Sequence, residues 1–285
     1  MSKQEVRIKT RAKINLTLDI VGKLPNGYHE LRMIMHSLNI YDEIYIKPNG
    51  TKNCTVQSNL KYLPCDGRNI VIKSIQTFYE ASGLSPEGFD VRIKKVIPVA
   101  AGLAGGSSNA AGTLLFLNNR YEQFFSEEQL LQVGKSIGAD VPYCILGGTC
   151  LAEGIGEKLS PLPSPPRCHF VVAKPANRGV STKEIFSMVD VSKIQLHPDT
   201  KGMIQALKDG DLQGIARRLY NVMEPYTLQK SPDVESFKNA MLENGALGSI
   251  MSGSGNAVFG IFETLDKARK AAAFLRRWSK QVFYV

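Results

Sequence analysis

Residues 98–108 read Pro-Val-Ala-Ala-Gly-Leu-Ala-Gly-Gly-Ser-Ser, and they lead directly into Asn109-Ala110-Ala111-Gly112-Thr113-Leu114-Leu115-Phe116-Leu117. Glycines let backbone N–H groups come close to an anion. A helix that starts behind them adds unpaired donors and the positive end of its dipole. The stretch Pro98 to Ser108 has both parts, with Ser107 or Ser108 as the expected N-cap and a mostly buried helix over Asn109–Tyr121. It is no Walker A loop, because no Gly-Lys-Ser/Thr occurs, and Gly102-Leu103-Ala104 breaks the first G-x-G of a dinucleotide fingerprint. A serine-capped flexible connection accounts for the same composition equally well, so the anion reading depends on what surrounds it.

Upstream, Ala12, Ile14, Leu16, Leu18 and Ile20 alternate with Lys13, Asn15, Thr17 and Asp19. Period two predicts a strand with one apolar and one polar face, and it points Lys13 and Asn15 the same way. A lysine on such a face is ordinarily solvated. Leu24-Pro25-Asn26-Gly27 is a turn signal. Tyr41–Lys47 and Phe89–Ile93 also alternate, and Asn69–Ala81 has helical periodicity. Downstream, Ser126 caps a helix that carries Glu127 and Glu128 in its first turn and stops at Gly138. Asp140-Val141-Pro142 follows at that helix end, where an aspartate is commonplace. Ser160–Pro166 holds four prolines in seven residues, which suggests a domain boundary or a long crossing. Beyond it the pattern predicts a strand at Cys168–Ala173 and helices at Thr200–Leu207, Leu212–Met223 and Val234–Glu243. Strand, turn and strand follow over Gly248–Phe262, then a helix at Leu265–Trp278 and a strand at Gln281–Tyr284. The second glycine turn, Ser252-Gly253-Ser254-Gly255, reads as a tight hairpin, and the mixture favours an α+β sandwich.

The 285 residues suffice for one large domain or two ordinary ones. No stretch approaches the apolar length of a membrane span. The polar Met1–Lys9 segment lacks the apolar core of a signal peptide, so the expected location is cytoplasmic. Five cysteines at wide spacings, with no C-x-x-C, read as reduced thiols, and the four histidines complete no zinc pattern. The net charge of +9 is spread along the chain. The densest run, Lys267–Arg277, reads as a solvated helix face, and no RNA-binding signature is present. The charge fits a phosphate-rich ligand without demanding one.

Three segments, in order, resemble the GHMP small-molecule kinases: Ala12–Leu16 with Gly27-Tyr28-His29; Pro98–Ala111; and Ser252–Gly255 before Ala257-Val258-Phe259. The resemblance spans nearly the whole chain. It implies an α+β fold of two domains. Residues 1–158 would form an ATP-binding domain similar to the ribosomal protein S5 domain 2-like fold, and residues 159–285 a ferredoxin-like α/β sandwich serving the substrate. The Lys13–Asn15 strand, the Gly27-Tyr28-His29 turn and Gly138–Pro142 resemble those members that use ATP to phosphorylate the tertiary C2 hydroxyl of a cytidine-diphosphate methylerythritol, a step of the non-mevalonate route to isoprenoids. The family often has glycine where Ala104 stands, which makes the conformation there the point to check.

The same resemblance implies roles. Asp140 matches the catalytic aspartate, a general base for the hydroxyl. Lys13 matches the catalytic lysine, a cation that keeps a carboxylate ionised and stabilises charge in transfer. Pro98, Val99, Ala100, Ala101, Gly102, Leu103, Ala104, Gly105, Gly106, Ser107 and Ser108 match the ATP-phosphate turn, with Asn69 and Lys95 near the purine and ribose. Asn15 matches a substrate contact that orients the hydroxyl. Tyr28, His29 and Phe186 match cytosine contacts, Thr182 another substrate contact, and Met35 stands where relatives can place a further aromatic. ATP and Mg²⁺ are the implied cofactors, the ion held largely by Ser108, the triphosphate and water, since no carboxylate cage is apparent. A small-molecule substrate, no nucleic acid or membrane partner, and a monomer or homodimer complete the expectation. Another family member acting on mevalonate, a sugar or homoserine remains an alternative. So do a non-catalytic binding protein on the same scaffold and a basic nucleic-acid binder.

Overall fold

The alternation centred on Ala12–Ile20 forms a strand that extends beyond it, β1 (Val6–Lys23). The computed structural model describes residues 4–25, 27–176 and 179–285. Of the expected turn after β1, Asn26 lies outside the described residues. Gly27 closes its amide onto the Leu24 carbonyl at 2.9 Å with φ +84°, and the Leu24 amide bonds the Tyr28 carbonyl at 2.7 Å. The chain then enters β2 (His29–Pro48). Both faces of β1 are buried from Ala12 to Ile20. The polar face expected from the sequence therefore exists, but it looks into the protein.

By packing, the described residues fall into two compact units, each drawn from several stretches of chain. The first takes the chain up to Ala12, Asn39–Ile97 and Ala104–Leu146; the second takes Lys13–Leu38, Pro98–Leu103 and Gly147–Val285. The first unit contains β3 (Thr55–Ser58), α1 (Ile70–Ser82), β4 (Phe89–Lys94), α2 (Gly105–Arg120), α3 (Glu127–Ile137) and α4 (Val141–Leu146). β4 pairs antiparallel with the end of β2, from Glu43↔Lys94 to Pro48↔Phe89, and parallel with β3. Its core joins Ile44, Ile46, Phe78, Phe89, Leu114 and Val141. The helix ends follow local chemistry. Asn69 caps α1, which stops on left-handed Gly83, and Ser126 with Gln129 makes a reciprocal capping box at α3. In α2, a Cβ at Gly112 would lie 2.5 Å from the Thr10 methyl, so glycine is what lets that helix lie against β1.

The second unit adds β5 (Thr149–Gly154), β6 (Lys158–Leu162), β7 (His169–Ala173), α5 (Thr182–Met188), α6 (Thr200–Asp209), α7 (Leu212–Arg217), β8 (Tyr220–Asn221), α8 (Glu224–Leu228), α9 (Asp233–Glu243), β9 (Gly248–Met251), β10 (Val258–Phe262), α10 (Leu265–Leu275) and β11 (Val282–Tyr284). An antiparallel sheet in the order β11-β7-β10-β9 carries α9 and α10. The proline-rich stretch begins inside a strand: Ser160–Leu162 belong to β6, which pairs with β5 from Thr149↔Leu162 to Glu153↔Lys158. Among the described residues β6 pairs with β5 alone, and an edge strand tolerates Pro161. One expectation is corrected: the helix expected over Leu212–Met223 ends at Arg217, because Tyr220 and Asn221 pair parallel with Thr17 and Leu18 of β1, and the Val222 amide bonds the Leu18 carbonyl at 3.0 Å. A long-range ladder there satisfies backbone groups that a helix would have satisfied locally.

Candidate active site

The inward polar face of β1 is a row of buried, hydrogen-bonded groups within the second unit. Lys13 is 4% exposed and donates from Nζ to Asn15 Oδ1 at 2.7 Å. Asn15, fully buried, turns Nδ2 to Met33 Sδ at 3.5 Å. Thr17 Oγ1 accepts from the Ile34 amide at 3.2 Å, and buried Asp19 meets His197 Nδ1 at 2.8 Å. A buried ammonium and amide cost free energy unless they are employed. Met35, also fully buried, contributes packing and no exposed ring.

The glycine-rich turn is tied to this row. The Lys13 amide bonds the Leu103 carbonyl at 3.2 Å. Ala100 and Gly102 are left-handed at φ +51° and +76°. The second glycine turn packs backbone to backbone on the first. Ser252 Oγ donates to the Gly102 carbonyl at 3.0 Å, the Ala257 amide to the Ala101 carbonyl at 3.1 Å, and a Cβ on Gly102 would fall 2.0 Å from the Ser252 carbonyl oxygen. Ser252–Gly255 is thus a connection from β9 to β10 and also a brace. On its other side Ser254 Oγ meets Thr182 Oγ1 at 2.8 Å, at the start of α5.

From α5, Phe186 brings its ring to 5.3 Å from that of His29, tilted by 32°. Tyr28 beside it is 62% exposed, an aromatic face held out on the turn. Burial lowers the pKa of His29, nearby Lys23 lowers it further, and a hydrogen bond to the Val189 backbone offsets part of this. The imidazole is therefore neutral at pH 7 and has one donor and one acceptor nitrogen.

In the first unit, α2 begins earlier than expected. Gly105 and Gly106 are its first residues, and the N-cap is Ala104, left-handed at φ +53°, ψ +27° with no side-chain cap. Neither Ser107 nor Ser108 caps the helix; both lie in its first turn, and Ser108 Oγ donates to the Arg11 carbonyl at 2.6 Å. The departure at Ala104 therefore resolves into a left-handed alanine, which costs about 1–2 kcal/mol against a glycine-like conformation. The N–H groups of Gly105, Gly106 and Ser107 have no intrahelical partner. A Cβ on Gly106 would meet only Ile70, at 4.0 Å, so the space over the helix start is open.

Beneath that start lies a network absent from the sequence reading. Asp42, fully buried, accepts at Oδ1 from the Val96 and Ile97 amides at 2.7 and 2.8 Å, and at Oδ2 from Lys95 Nζ and from Asn109 Nδ2 at 3.0 Å. Lys95 Nζ also reaches Asn109 Oδ1 at 3.1 Å, and Asn109 Nδ2 reaches Thr10 Oγ1 at 2.7 Å. Burial pushes the Lys95 ammonium down and Asp42 offsets this. Lys95 is thus engaged in the interior, with Nζ 3.0 Å from where a Gly105 Cβ would be. A signal for Asp42 was in the sequence: it stands in the apolar phase of β2, among Ile40, Ile44 and Ile46. Asn69 uses both ends of its amide at the cap of α1, accepting from the Val71 amide at 3.0 Å and donating to the Pro64 carbonyl at 2.8 Å. Asp140 is half-buried immediately before α4, and its carbonyl accepts from the Cys144 amide at 3.0 Å.

The chain is similar to known proteins along most of its length. The model of the GHMP kinases N terminal domain matches residues 69–148, and that of the GHMP kinases C terminal region matches 203–281. The chain is 43% identical over 266 residues to the 4-diphosphocytidyl-2-C-methyl-D-erythritol kinase of Lachnoclostridium phytofermentans, covering 93% of this chain and 91% of that protein. It is 43% identical over 276 residues to the protein of the same name in Clostridium kluyveri, covering 97% and 98%. Among solved structures it is similar to a 4-(cytidine 5'-diphospho)-2C-methyl-D-erythritol kinase at 31% identity, with a TM-score of 0.82 over 98% of each chain. A homoserine kinase from Cytophaga hutchinsonii, 19% identical with a TM-score of 0.77 over 100% of this chain and 95% of that one, is a likeness of fold.

Proposed function

The chain belongs to the GHMP kinases and has their two-domain fold, and we propose that it transfers the γ-phosphoryl group of ATP to the C2 hydroxyl of 4-diphosphocytidyl-2-C-methyl-D-erythritol. The observation that carries this reading is the joint at Lys13. Its ammonium is buried against Asn15, and its amide is bonded to Leu103 of the glycine-rich turn. A cation for the acceptor is thus bonded through its own backbone to the turn that would hold the donor phosphates. A neutral His29 with its ring tilted against that of Phe186, beside exposed Tyr28, suits a cytosine, which needs hydrogen bonds at its edge and a ring against its face. Along the sequence, residues 1–158 serve the nucleotide and 159–285 complete the acceptor side with Thr182 and Phe186.

In this mechanism Asp140 takes the proton of the C2 hydroxyl. The oxygen attacks the γ-phosphorus, the bond to the ADP oxygen breaks, and the proton rests on Asp140. Lys13 stabilises the charge on the transferring group, Asn15 holds the hydroxyl in line, and the open N–H groups of Gly105, Gly106 and Ser107 hold phosphate oxygens. A divalent cation, Mg²⁺, neutralises phosphate charge when bound. Among the described residues no group of three or more His, Cys, Asp and Glu stands ready for an ion. The residue that fits is Ser108, whose proton goes to Arg11 while its oxygen lone pairs remain for a hard cation. Asn69 and Lys95 shape the nucleotide side through the α1 cap and the Asp42 network. The same reading makes it a cytoplasmic enzyme, monomeric or homodimeric, with no nucleic-acid partner; among the described residues no helix is long and apolar enough to cross a membrane.

The test is ADP release with the purified protein, Mg²⁺, ATP and a panel of acceptors: the cytidine-diphosphate methylerythritol, mevalonate and homoserine. Product analysis is expected to give the 2-phosphate of the first alone. Turnover of an acceptor without cytidine, or binding of both ligands without product, refutes the proposal.

A further inference from the structure

Asn221 has no place in the chemistry above, yet its amide is fully committed at the point where donor and acceptor elements meet. It lies on the two-residue β8, paired in register with Leu18 on the strand that carries Lys13. It is 3% exposed. Its Nδ2 donates to the carbonyls of Met251 and Gly253 at 2.9 and 2.8 Å, and its Oδ1 accepts from the Met223 amide at 2.9 Å. Two carbonyls that flank the entry to the second glycine turn are therefore drawn onto one side chain. Glu224 seconds it, accepting from the Met251 amide at 3.0 Å, and Thr227 Oγ1 donates to the Ser254 carbonyl at 3.1 Å. The turn so held supplies Ser252 Oγ to Gly102 of the phosphate turn and Ser254 Oγ to Thr182 of α5.

We propose that Asn221 is a positioning residue: by clamping Ser252–Gly255 to β1 it fixes the spacing between the phosphate turn at Gly102 and the acceptor-side helix at Thr182. The proposal rests on the phosphotransfer reading above, in which those two elements hold the two substrates. The turn is bonded on three sides, and each side leads to a group placed in binding. Gly102 and Gly253 make a backbone contact too close to admit a side chain, so a shift of the turn is transmitted to the phosphate side rather than absorbed. A displacement of about 1 Å between reacting groups is enough to cost about a hundredfold in rate.

Asn221→Asp tests this because it keeps the shape and the acceptor for Met223 while replacing both donated protons by carboxylate oxygen. The expected result is a kcat about a hundredfold lower, with hydrogen exchange accelerated at residues 251–255 and 100–103. The control is Asn118→Asp, another buried amide, which donates to the Phe125 carbonyl at 3.0 Å and accepts from its amide at 2.8 Å. It is expected to lower stability and leave kcat, both KM values and exchange in those segments unchanged. Two milder variants split the clamp and remain informative if Asn221→Asp does not fold. Ser252→Ala is expected to raise KM for ATP alone, and Ser254→Ala to raise KM for the cytidine substrate alone. Parental kinetics in Asn221→Asp, or two serine variants with unaltered KM values, overturns the proposal. A parent protein that turns over no acceptor refutes the kinase reading instead, and the exchange measurement still decides whether Asn221 holds the turn.

Discussion

Replacing Asp42 by asparagine is the sharpest test of how the nucleotide side is held. The carboxylate has four donors, two of them the backbone amides that lead into the glycine-rich turn, and no exposed surface; its partner Lys95 is 5% exposed at the side chain. An asparagine that kept its oxygen on Val96 and Ile97 would aim its NH₂ at the Lys95 ammonium and the Asn109 amide, setting donor against donor. Removing one partner of a buried pair costs about 3–5 kcal/mol, which at a urea m-value of about 3 kcal/mol/M moves the midpoint by about 1 M or more. Exposed pairs set the contrast: Arg32–Glu153, with both side chains more than 40% exposed, is worth about 1 kcal/mol at most. Urea unfolding of Asp42→Asn, of Lys95→Met and of the double variant gives the coupling directly. The double variant should recover most of the loss, because a neutral pair no longer strands a charge. The ATP KM should rise in Asp42→Asn, since Lys95 Nζ lies under Gly105. A midpoint shift below about 0.3 M, equivalent to roughly 1 kcal/mol at that m-value, or a double variant no better than Asp42→Asn, would refute the network as the support of the turn.

Three further outcomes follow from the same geometry. Asp140→Asn should lower kcat by about 10²–10⁴-fold, the usual worth of a positioned base, with ATP affinity by titration calorimetry unchanged; equal turnover in variant and parent removes Asp140 from the mechanism. Gly106→Val should fold normally, since only Ile70 lies within 4 Å of its Cβ, yet lose ATP binding, whereas Gly102→Ala, with its Cβ 2.0 Å from a carbonyl oxygen, should lose stability as well; thermal melts with and without ATP separate the two. Burial holds the pKa of His36 down to about 4, below its unfolded value of about 6.5. The unfolded chain therefore takes up the proton first, and stability present above pH 6.5 is lost as pH falls towards 4. Between pH 6.5 and 5 this amounts to about 2 kcal/mol, and His36→Gln should flatten that part of the stability profile in urea; an unchanged slope refutes it.

Elements whose cause is local were legible in the sequence. Ser126 announced its helix because a cap needs only neighbours three residues away, and the core of β1 followed from its period of two. What escaped depended on distant partners. Nothing near Ala12–Ile20 says that the polar face is covered, and nothing near Tyr220 says that β1 waits to pair with it. The start of α2 was misplaced because a left-handed alanine caps through its backbone and leaves no side-chain signature. In the candidate site, Lys13 and Asn15 could be put on one face from spacing alone. Asp140, Tyr28, His29, Thr182 and Phe186 came from resemblance, since a ring contact between β2 and α5 has no trace in either segment. Asp42 was within reach, as an aspartate in an apolar phase; Asn221 was not.

The buried polar face of β1 has one more consequence, for how the strand finds its place during folding. A strand covered on both sides normally reads as a continuous apolar run and tolerates a slip of one residue cheaply. Here such a slip would exchange the two interiors, turning Lys13, Asn15, Thr17 and Asp19 into the oily layer and Ile14, Leu16 and Leu18 onto groups that need hydrogen bonds. Each misplaced polar group would cost about 1–3 kcal/mol, so four of them together rival the whole stability of a typical domain. The polar residues of β1, among them Lys13 and Asn15 of the proposed site, thereby also proofread its alignment, and a mutation that made the face apolar would remove that error check.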